Sequence, residues 1–145
     1  MSNEIMRLEL KEAIDAGERA LSSLYLAQER LDSARNWGIF DMFGGGFFAS
    51  MIKHSKINDA TRYMEDAKYN LQRFQRELQD VAVSTDLRME IGSFLSFADF
   101  FFDGFVADYL VQSKIADARG QVEEAIRMIE RILPDLKNRY EREFF

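Results

Sequence analysis

The sequence lacks cysteine altogether and contains one proline and one histidine among its 145 residues. Without cysteine the chain forms neither a disulfide nor a thiolate metal site, and a reducing compartment suits this composition. The N-terminal segment has no uninterrupted apolar core, so we expect no secretory signal and a cytoplasmic location. Turn residues are also scarce, because positions 47–91 contain neither proline nor glycine. This scarcity argues against a β-rich fold and favours long helices.

A long uncharged apolar run is absent as well. The most apolar stretch, 94–111, contains Asp99, Asp103 and Asp108. Each aspartate would cost about 2.5–3.5 kcal/mol at the centre of a bilayer, so we expect no transmembrane segment, although contact with a membrane surface stays open. The net charge of −6 comes from acidic and basic residues interspersed along most of the chain. This balance argues against nucleic-acid binding, which needs concentrated Lys and Arg.

The chain contains an internal sequence repeat. Residues 41–67 read DMFGGGFFASMIKHSKINDATRYMEDA, and residues 99–125 read DFFFDGFVADYLVQSKIADARGQVEEA. Aligned without a gap at an offset of 58 residues, the two segments are identical at 12 of 27 positions. Unrelated sequences would share about one or two, at roughly 6% identity per position. The repeat predicts a structure with approximate twofold symmetry.

Three segments have apolar residues at alternating steps of three and four, which is the period of an α-helix. The first predicts a helix at about 3–36, in which Gly17 marks a point of close helix packing. The other two predict matching helices, for which Ser55 and Ser113 are candidate N-caps. Because the apolar residues before Ile57 lie on a different face, either a new helix begins at Ser55 or one longer helix turns its face toward a different partner. A shorter helix at about 87–97 is expected between them. The predicted inward positions are Leu10, Ala13, Gly17, Ala20, Leu24, Ala27, Leu31 and Ala34, then Ile57, Ala60, Met64, Ala67, Leu71, Phe74, Leu78 and Val81, and then Ile115, Ala118, Val122, Ala125, Ile129, Ile132 and Leu136.

The sequence therefore predicts an all-α fold, an antiparallel helical bundle built from two similar helical hairpins in a single domain of residues 1–145. Hairpin one covers about 3–81 and hairpin two about 86–145, and short connections favour antiparallel neighbours. Pro134 lacks a backbone donor, so a kink is expected near Glu130.

Each predicted hairpin turns at a segment rich in glycine and aromatic residues, which we call an elbow. Elbow one covers 37–48 (WGIFDMFGGGFF) and elbow two covers 97–105 (FADFFFDGF). The rings either plug one end of the bundle as core or form an exposed patch for a partner helix, a lipid surface or a small apolar ligand. The candidate partner-binding residues are Trp37, Phe40, Phe43, Phe47, Phe48, Phe101, Phe102 and Phe105.

The surroundings of the two elbows differ in charge. Segment 35–57 holds three basic residues and one acidic residue, and segment 93–115 holds one basic residue and three acidic residues, which gives +2 and −2. Attraction between them would fix their pairing within one chain or join the opposite elbows of two chains as a homodimer. Asp41 and Asp99 recur in both copies, and an N-cap or a pair with a nearby lysine explains them more simply than catalysis.

Catalytic and metal-binding patterns are missing from the sequence. The place of His54 is held by Gln112 in the second copy, and no Glu-x-x-His occurs, so zinc and di-iron spacings are absent. We therefore expect a non-enzymatic interaction or scaffolding module that needs no cofactor or metal and binds a partner protein or itself. Peripheral membrane contact or binding of an apolar small ligand through the elbows is the alternative. An enzyme using carboxylates between the hairpins has no specific support.

Overall fold

The computed structural model describes the backbone of residues 3–42, 47–81, 85–104 and 112–144, and the side chains within 4–33, 59–81, 87–98 and 117–144. Nearly all of this backbone belongs to four α-helices. They are α1 (Asn3–Met42), α2 (Phe47–Gln79), α3 (Thr85–Gly104) and α4 (Gln112–Phe144). Because the described residues contain no strand, the prediction of an all-α fold is confirmed.

Three of the helices are longer than the sequence pattern predicted. α1 continues to Met42, α2 begins at Phe47, and α3 extends to Gly104, so most of both elbows is helical. The prediction of Ser55 as an N-cap is therefore wrong, because this residue lies inside α2. Aromatic residues have moderate helix propensity, and a single glycine such as Gly38 costs only about 1 kcal/mol, so neither ends a helix.

The apolar stripes predicted to face inward form the core wherever their side chains are described. α1 buries Leu10, Ala13, Gly17, Ala20, Leu24, Ala27 and Leu31. α2 buries Ala60, Met64, Ala67, Leu71, Phe74 and Leu78, and α4 buries Ala118, Val122, Ala125, Ile129, Ile132 and Leu136. Val81 is half-buried, while Ala34, Ile57 and Ile115 lie outside the described side chains. No polar or charged residue is buried among the described side chains, so this core depends on apolar packing.

The buried face of α3 does not repeat that of α1 at the offset of 58 residues. Extending the repeat upstream pairs Leu31 with Met89, Ala34 with Gly92 and Trp37 with Leu95, a correspondence that the sequence permits without predicting it. Leu31 is fully buried, whereas Met89 is 69% exposed and Gly92 is exposed. The core positions of α3 are instead Leu87, Ile91, Phe94 and Ala98. Leu31 and Met89 are the one of these pairs in which both side chains are described, and their burial differs.

The contacts of α1 define how the helices run. α1 packs along α2 and α4, and α3 packs against α4 and α2. Residues later in α1 contact residues earlier in the other two helices, so α1 runs opposite to both. Against α2, Asn70 donates a hydrogen bond to Ser23, and Arg30 stacks on Tyr63. Against α4, the pairs are Glu18 with Lys137, Tyr25 with Glu130, and Asp32 with Arg119.

All four helices meet around the ring of Phe74. A Cβ atom on Gly17 of α1 would lie 2.9 Å from Cε1 of Phe74 and 2.8 Å from Cδ2 of Leu133 in α4. The centroid of the Phe94 ring in α3 lies 5.3 Å from that of Phe74. The absence of a side chain on Gly17 therefore lets α1 approach α2 and α4 closely, as the sequence predicted.

Replacing Gly17 by alanine is expected to destabilise the protein by about 1–3 kcal/mol, as overpacking does. The gain of about 1 kcal/mol in helix propensity is outweighed because the new methyl group would overlap two buried side chains. Gly92 and Gly120 have nothing within 4 Å of an added Cβ, so alanine at either position should stabilise by about 0.5–1 kcal/mol. Urea denaturation of the three variants measures the contrast. A Gly17→Ala variant as stable as the Gly120→Ala control would contradict the close approach.

α4 continues through Pro134 and ends beside the core. The helix does not end at the proline, whose ring is exposed, although the carbonyl of Glu130 lacks its usual helical donor. Near the end of the chain, Tyr140 and Phe144 are half-buried and pack against the core, with ring centroids 5.7 Å apart. The last turns of α4 thus contribute to packing.

Candidate interaction surfaces

Helix ends that border both elbows lie at the same end of the molecule. α1 ends and α2 begins on either side of residues 43–46, and so short a segment keeps these two ends close, at no more than about 3.6 Å per residue. Nε of Arg119, early in α4, donates a hydrogen bond to Oδ1 of Asp32, late in α1, over 2.6 Å. The beginning of α4, which follows elbow two, is therefore beside the end of α1.

The candidate partner-binding residues are distributed over the helices at the elbows. By element, Trp37 and Phe40 belong to α1, Phe47 and Phe48 to α2, and Phe101 and Phe102 to α3. Phe43 and Phe105 lie outside the described residues, and so do the side chains of the other six. The choice between an aromatic core plug and an exposed patch therefore stays a prediction.

Other residues singled out in the sequence also fall outside the described side chains. This holds for His54, Asp41 and Asp99, whose roles stay predictions. Ser113 is the second residue of α4 as described, directly after the undescribed residues 105–111, so its role as an N-cap stays a prediction. The opposite charges around the two elbows are a property of the sequence. The described side chains show no ion pair between the two elbows.

The outward side of α1 presents a second regular series of residues, which we call the outer stripe. Its six residues are all exposed and are spaced by alternating steps of four and three: Leu8, Glu12, Asp15, Arg19, Ser22 and Leu26. The two leucines are 49% and 45% exposed, which is high for large apolar side chains. They enclose a polar centre, and the series has the spacing of a coiled-coil seam.

A shallow groove of about 600 Å³ lies at the centre of the outer stripe, where α1 borders α2. Its lining residues are Asp15, Glu18, Arg19, Ser22, Ser23 and Asn70. Nδ2 of Asn70 donates to Oγ of Ser23 over 2.5 Å and so joins the two helices beneath the groove. Among the described residues, no ion-pair partner is found for Asp15 or Arg19. Both charges at the centre of the stripe therefore face solvent.

The opposite flank of α1 is occupied by its contacts with α4. Nζ of Lys137 lies 2.7 Å from Oε1 of Glu18, and the hydroxyl of Tyr25 donates to Glu130. This hydrogen bond, more than burial, raises the pKa of Tyr25. Such exposed pairs are worth roughly 0–1 kcal/mol each, and they set the register of the two helices more than their stability.

Arg127 of α4 forms an ion pair within its own helix. Its position four residues after Glu123 would suit a pair with that residue. The guanidinium instead contacts Glu124, three residues away, with Nη2 at 2.5 Å from Oε2. This hydrogen bond is the main cause of the raised pKa of Arg127, and Glu123 contributes a weaker attraction. Both spacings bring side chains to one helix face, so sequence alone does not separate them.

The outward side of α2 carries a mixed surface around Tyr69, whose side chain is 57% exposed. A second shallow depression there, of about 470 Å³, is lined by Tyr69, Arg73, Arg76, Glu77 and Asp80. Desolvation raises the pKa of Glu77 above its ordinary value, and repulsion from Glu12 of α1 and Asp80 adds to it. Arg73 and Arg76 lower this pKa, but they do not cancel the increase.

Neither metal binding nor membrane insertion has a specific basis among the described residues. Within that part of the chain, no group of three or more His, Cys, Asp or Glu side chains is arranged to hold a metal ion. No described helix combines the length and hydropathy that crossing a membrane requires. Comparison with protein families, with curated proteins and with solved structures gives no match for this chain. Its function must therefore be inferred from its own residues.

The inward series of α1 does not reveal the outer stripe, although the sequence contains a signal for it. Leu8 and Leu26 stand outside the inward series of α1, and a continuous four–three spacing connects them. The outer stripe is less evident than the inward series because four of its six residues are polar. Their exposure, which only the packing of α1 against α2 and α4 reveals, distinguishes the outer stripe from the core.

Proposed function

We infer that this chain is a non-enzymatic helical interaction or scaffolding module that binds a partner protein, or itself as a homodimer, through its elbows. It acts in the cytoplasm and uses no cofactor or metal. The observation that carries this inference is the position of the helix ends at the elbows. The Asp32–Arg119 pair and the short α1–α2 connection gather the end of α1 and the starts of α2 and α4 at one end of the molecule.

Because these helix ends lie together, we expect the aromatic residues of the two elbows to form one surface instead of two separate ones. Trp37 and Phe40 approach this end on α1, and Phe47 and Phe48 begin α2 there. Large aromatic side chains supply most of the binding energy at many protein interfaces. A partner helix or a second copy of the chain would bind such a surface through its apolar anchors.

The proposed architecture is an antiparallel bundle of two similar hairpins, α1–α2 and α3–α4, related by the repeat. Its support comes from six pairs of core positions that are 58 residues apart and buried in both α2 and α4. These pairs are Ala60 with Ala118, Met64 with Val122, Ala67 with Ala125, Leu71 with Ile129, Phe74 with Ile132, and Leu78 with Leu136. Rigid hairpins of this kind would hold the elbows in a fixed relation to each other.

Changing Phe48 to aspartate is expected to abolish association while leaving helicity and melting temperature nearly unchanged. The reason is that a carboxylate cannot be buried in an apolar interface without a partner. Tyr69→Asp is the matched control, because it places the same charge on an exposed aromatic position of the same helix. Light scattering reports association, and circular dichroism reports folding. If the Phe48→Asp monomer unfolds, Phe48 belongs to the core and the elbow is not an interface.

Two further measurements separate this function from its rivals. Flotation with anionic and neutral vesicles tests membrane contact, and binding to either would favour the peripheral membrane alternative. Native mass spectrometry of the purified chain tests the enzymatic alternative, which a tightly bound divalent metal would revive. We expect neither signal.

A further inference from the structure

We propose that the outer stripe of α1 is a second interaction surface, independent of the elbows, and that its partner is the outer stripe of a second copy running antiparallel. The stripe consists of described, exposed residues only. Its order of side chains is complementary to itself when the helix is reversed. A surface that binds its own copy about a twofold axis must have this property. When residue i of one copy contacts residue j of the other, residue j of the first copy contacts residue i of the second.

The register of this contact follows from the residue numbers. An axis passing beside residue 17 pairs positions whose numbers add to 34. Leu8 then faces Leu26 of the second copy, and Asp15 faces Arg19 of the second copy. Each pairing occurs twice because of the symmetry. Glu12 faces Ser22 of the second copy, whose hydroxyl donates to the carboxylate.

This pairing gives every member of the stripe a suitable neighbour. The leucines, 49% and 45% exposed in the single chain, would cover each other at the two ends of the contact. The two Asp15–Arg19 pairs would fill the polar grooves at the centre, where neither charge has a described ion-pair partner. The steps of four and three residues keep all six positions on one face of each helix.

One pair of like charges lies beside the proposed axis. Glu18 would be next to Glu18 of the second copy, and two bare carboxylates there would repel. Each Glu18 is already paired with Lys137 of its own chain, with Nζ 2.7 Å from Oε1. The pair is close to neutral, so it does not oppose the contact.

Charge reversal tests the pairing of Asp15 with Arg19. Arg19→Asp alone would place four acidic residues around the axis, and Asp15→Arg alone would place four basic residues there. Each variant should dimerise at least about tenfold more weakly than the unchanged chain, since like charges across an interface are unfavourable by several kcal/mol. Mixing the two variants should restore a dimer as a heterodimer. The double variant Asp15→Arg/Arg19→Asp should form a homodimer again.

Sedimentation velocity over a range of protein and salt concentrations measures these outcomes, and the dimer should weaken as salt rises. Arg131→Asp is the matched control, because it makes the same charge change at an exposed position of α4. The series is run both in the unchanged chain and with Phe48→Asp, so failure of elbow binding cannot be mistaken for failure of this contact. A monomer in every sample, no rescue on mixing, or an equal effect of Arg131→Asp overturns the proposal.

Cysteine cross-linking tests the antiparallel register, because the chain has no cysteine of its own. Leu8→Cys and Leu26→Cys chains, mixed and mildly oxidised, should form the disulfide between positions 8 and 26, since bonding requires Cα atoms within about 7 Å. Peptide mapping identifies the bond. Preferential 8–8 or 26–26 bonds would indicate a parallel contact and would overturn the register.

Discussion

Replacing Phe74 by alanine is expected to lower the free energy of unfolding by about 3–5 kcal/mol, the usual cost of removing a buried phenylalanine ring. The side chain is 0% exposed, and it is the point where all four helices meet. Its ring lies against Phe94 of α3 and beside the backbone of Gly17 in α1. Because the three neighbouring helices would have to move toward α2 to fill the cavity, relaxation should recover little of the lost free energy. Urea denaturation followed by circular dichroism measures the change.

The control for this prediction lies on the same helix. Tyr69→Ala also removes an aromatic ring from α2, but from a position that is 57% exposed, so its effect should stay within about 0.5 kcal/mol. A similar cost for both variants would mean that loss of helix packing at Phe74 is not the cause. If α3 unfolds before the other helices, the transitions followed by different spectroscopic probes will not coincide. Such a difference would show that unfolding is not two-state.

The second large effect is expected at the paired positions Leu71 and Ile129, which correspond in the repeat. Alanine at either position should cost about 2–5 kcal/mol, because both side chains are 0% exposed and each would leave a cavity. Since the two sites lie on equivalent stripes of α2 and α4, we expect costs of similar size. Chemical denaturation of the single variants, with Met89→Ala at an exposed position of α3 as control, makes the comparison.

Unequal costs at these two positions would be informative. A cost near zero at one position would mean that its stripe is not held in a continuous core, which would contradict the burial. A large cost at one and a small cost at the other would argue against two equivalent hairpins and so against the proposed architecture. The exposed control should change stability by no more than about 0.5 kcal/mol.

The outer stripe shares no residue with the described core, and that separation makes its tests possible. The described core itself contains no buried polar or charged residue. Substitutions on the outer stripe of α1, such as Arg19→Asp, change no core contact. Their effects on association are therefore expected without loss of folding.

Much of the fold was predictable because the apolar residues of α2 and α4 follow the helical period without interruption. The four–three spacing on α2 and α4 predicted the buried faces, and the structure confirms them at all six described pairs. Helix ends were less predictable, since α1 passes Gly38 and α2 begins before Ser55. A single glycine or a serine favours an end only by about 1 kcal/mol, which tertiary packing easily exceeds.

The two copies of the repeat differ in the width of the face that they bury. α4 buries Ile126 and Leu133 beside its stripe, whereas the equivalent positions in α2 are the half-buried Lys68 and Gln75. Leu133 packs against α1 at Gly17, which gives α4 a wider apolar face. The candidate site was predicted from elbow composition, but the outer stripe was not, because exposure depends on which faces the neighbouring helices cover.

By itself the sequence determined the helical class, the inward stripes and the close approach at Gly17, because these follow from periodicity and from the size of a side chain. Only the tertiary structure decided which helices are neighbours, that α3 buries Ile91 and Phe94 rather than Met89, and that Leu8 and Leu26 remain outside. The physical reason is that burial is a property of pairs of surfaces. A periodic sequence presents several possible faces, and packing against the other helices selects among them.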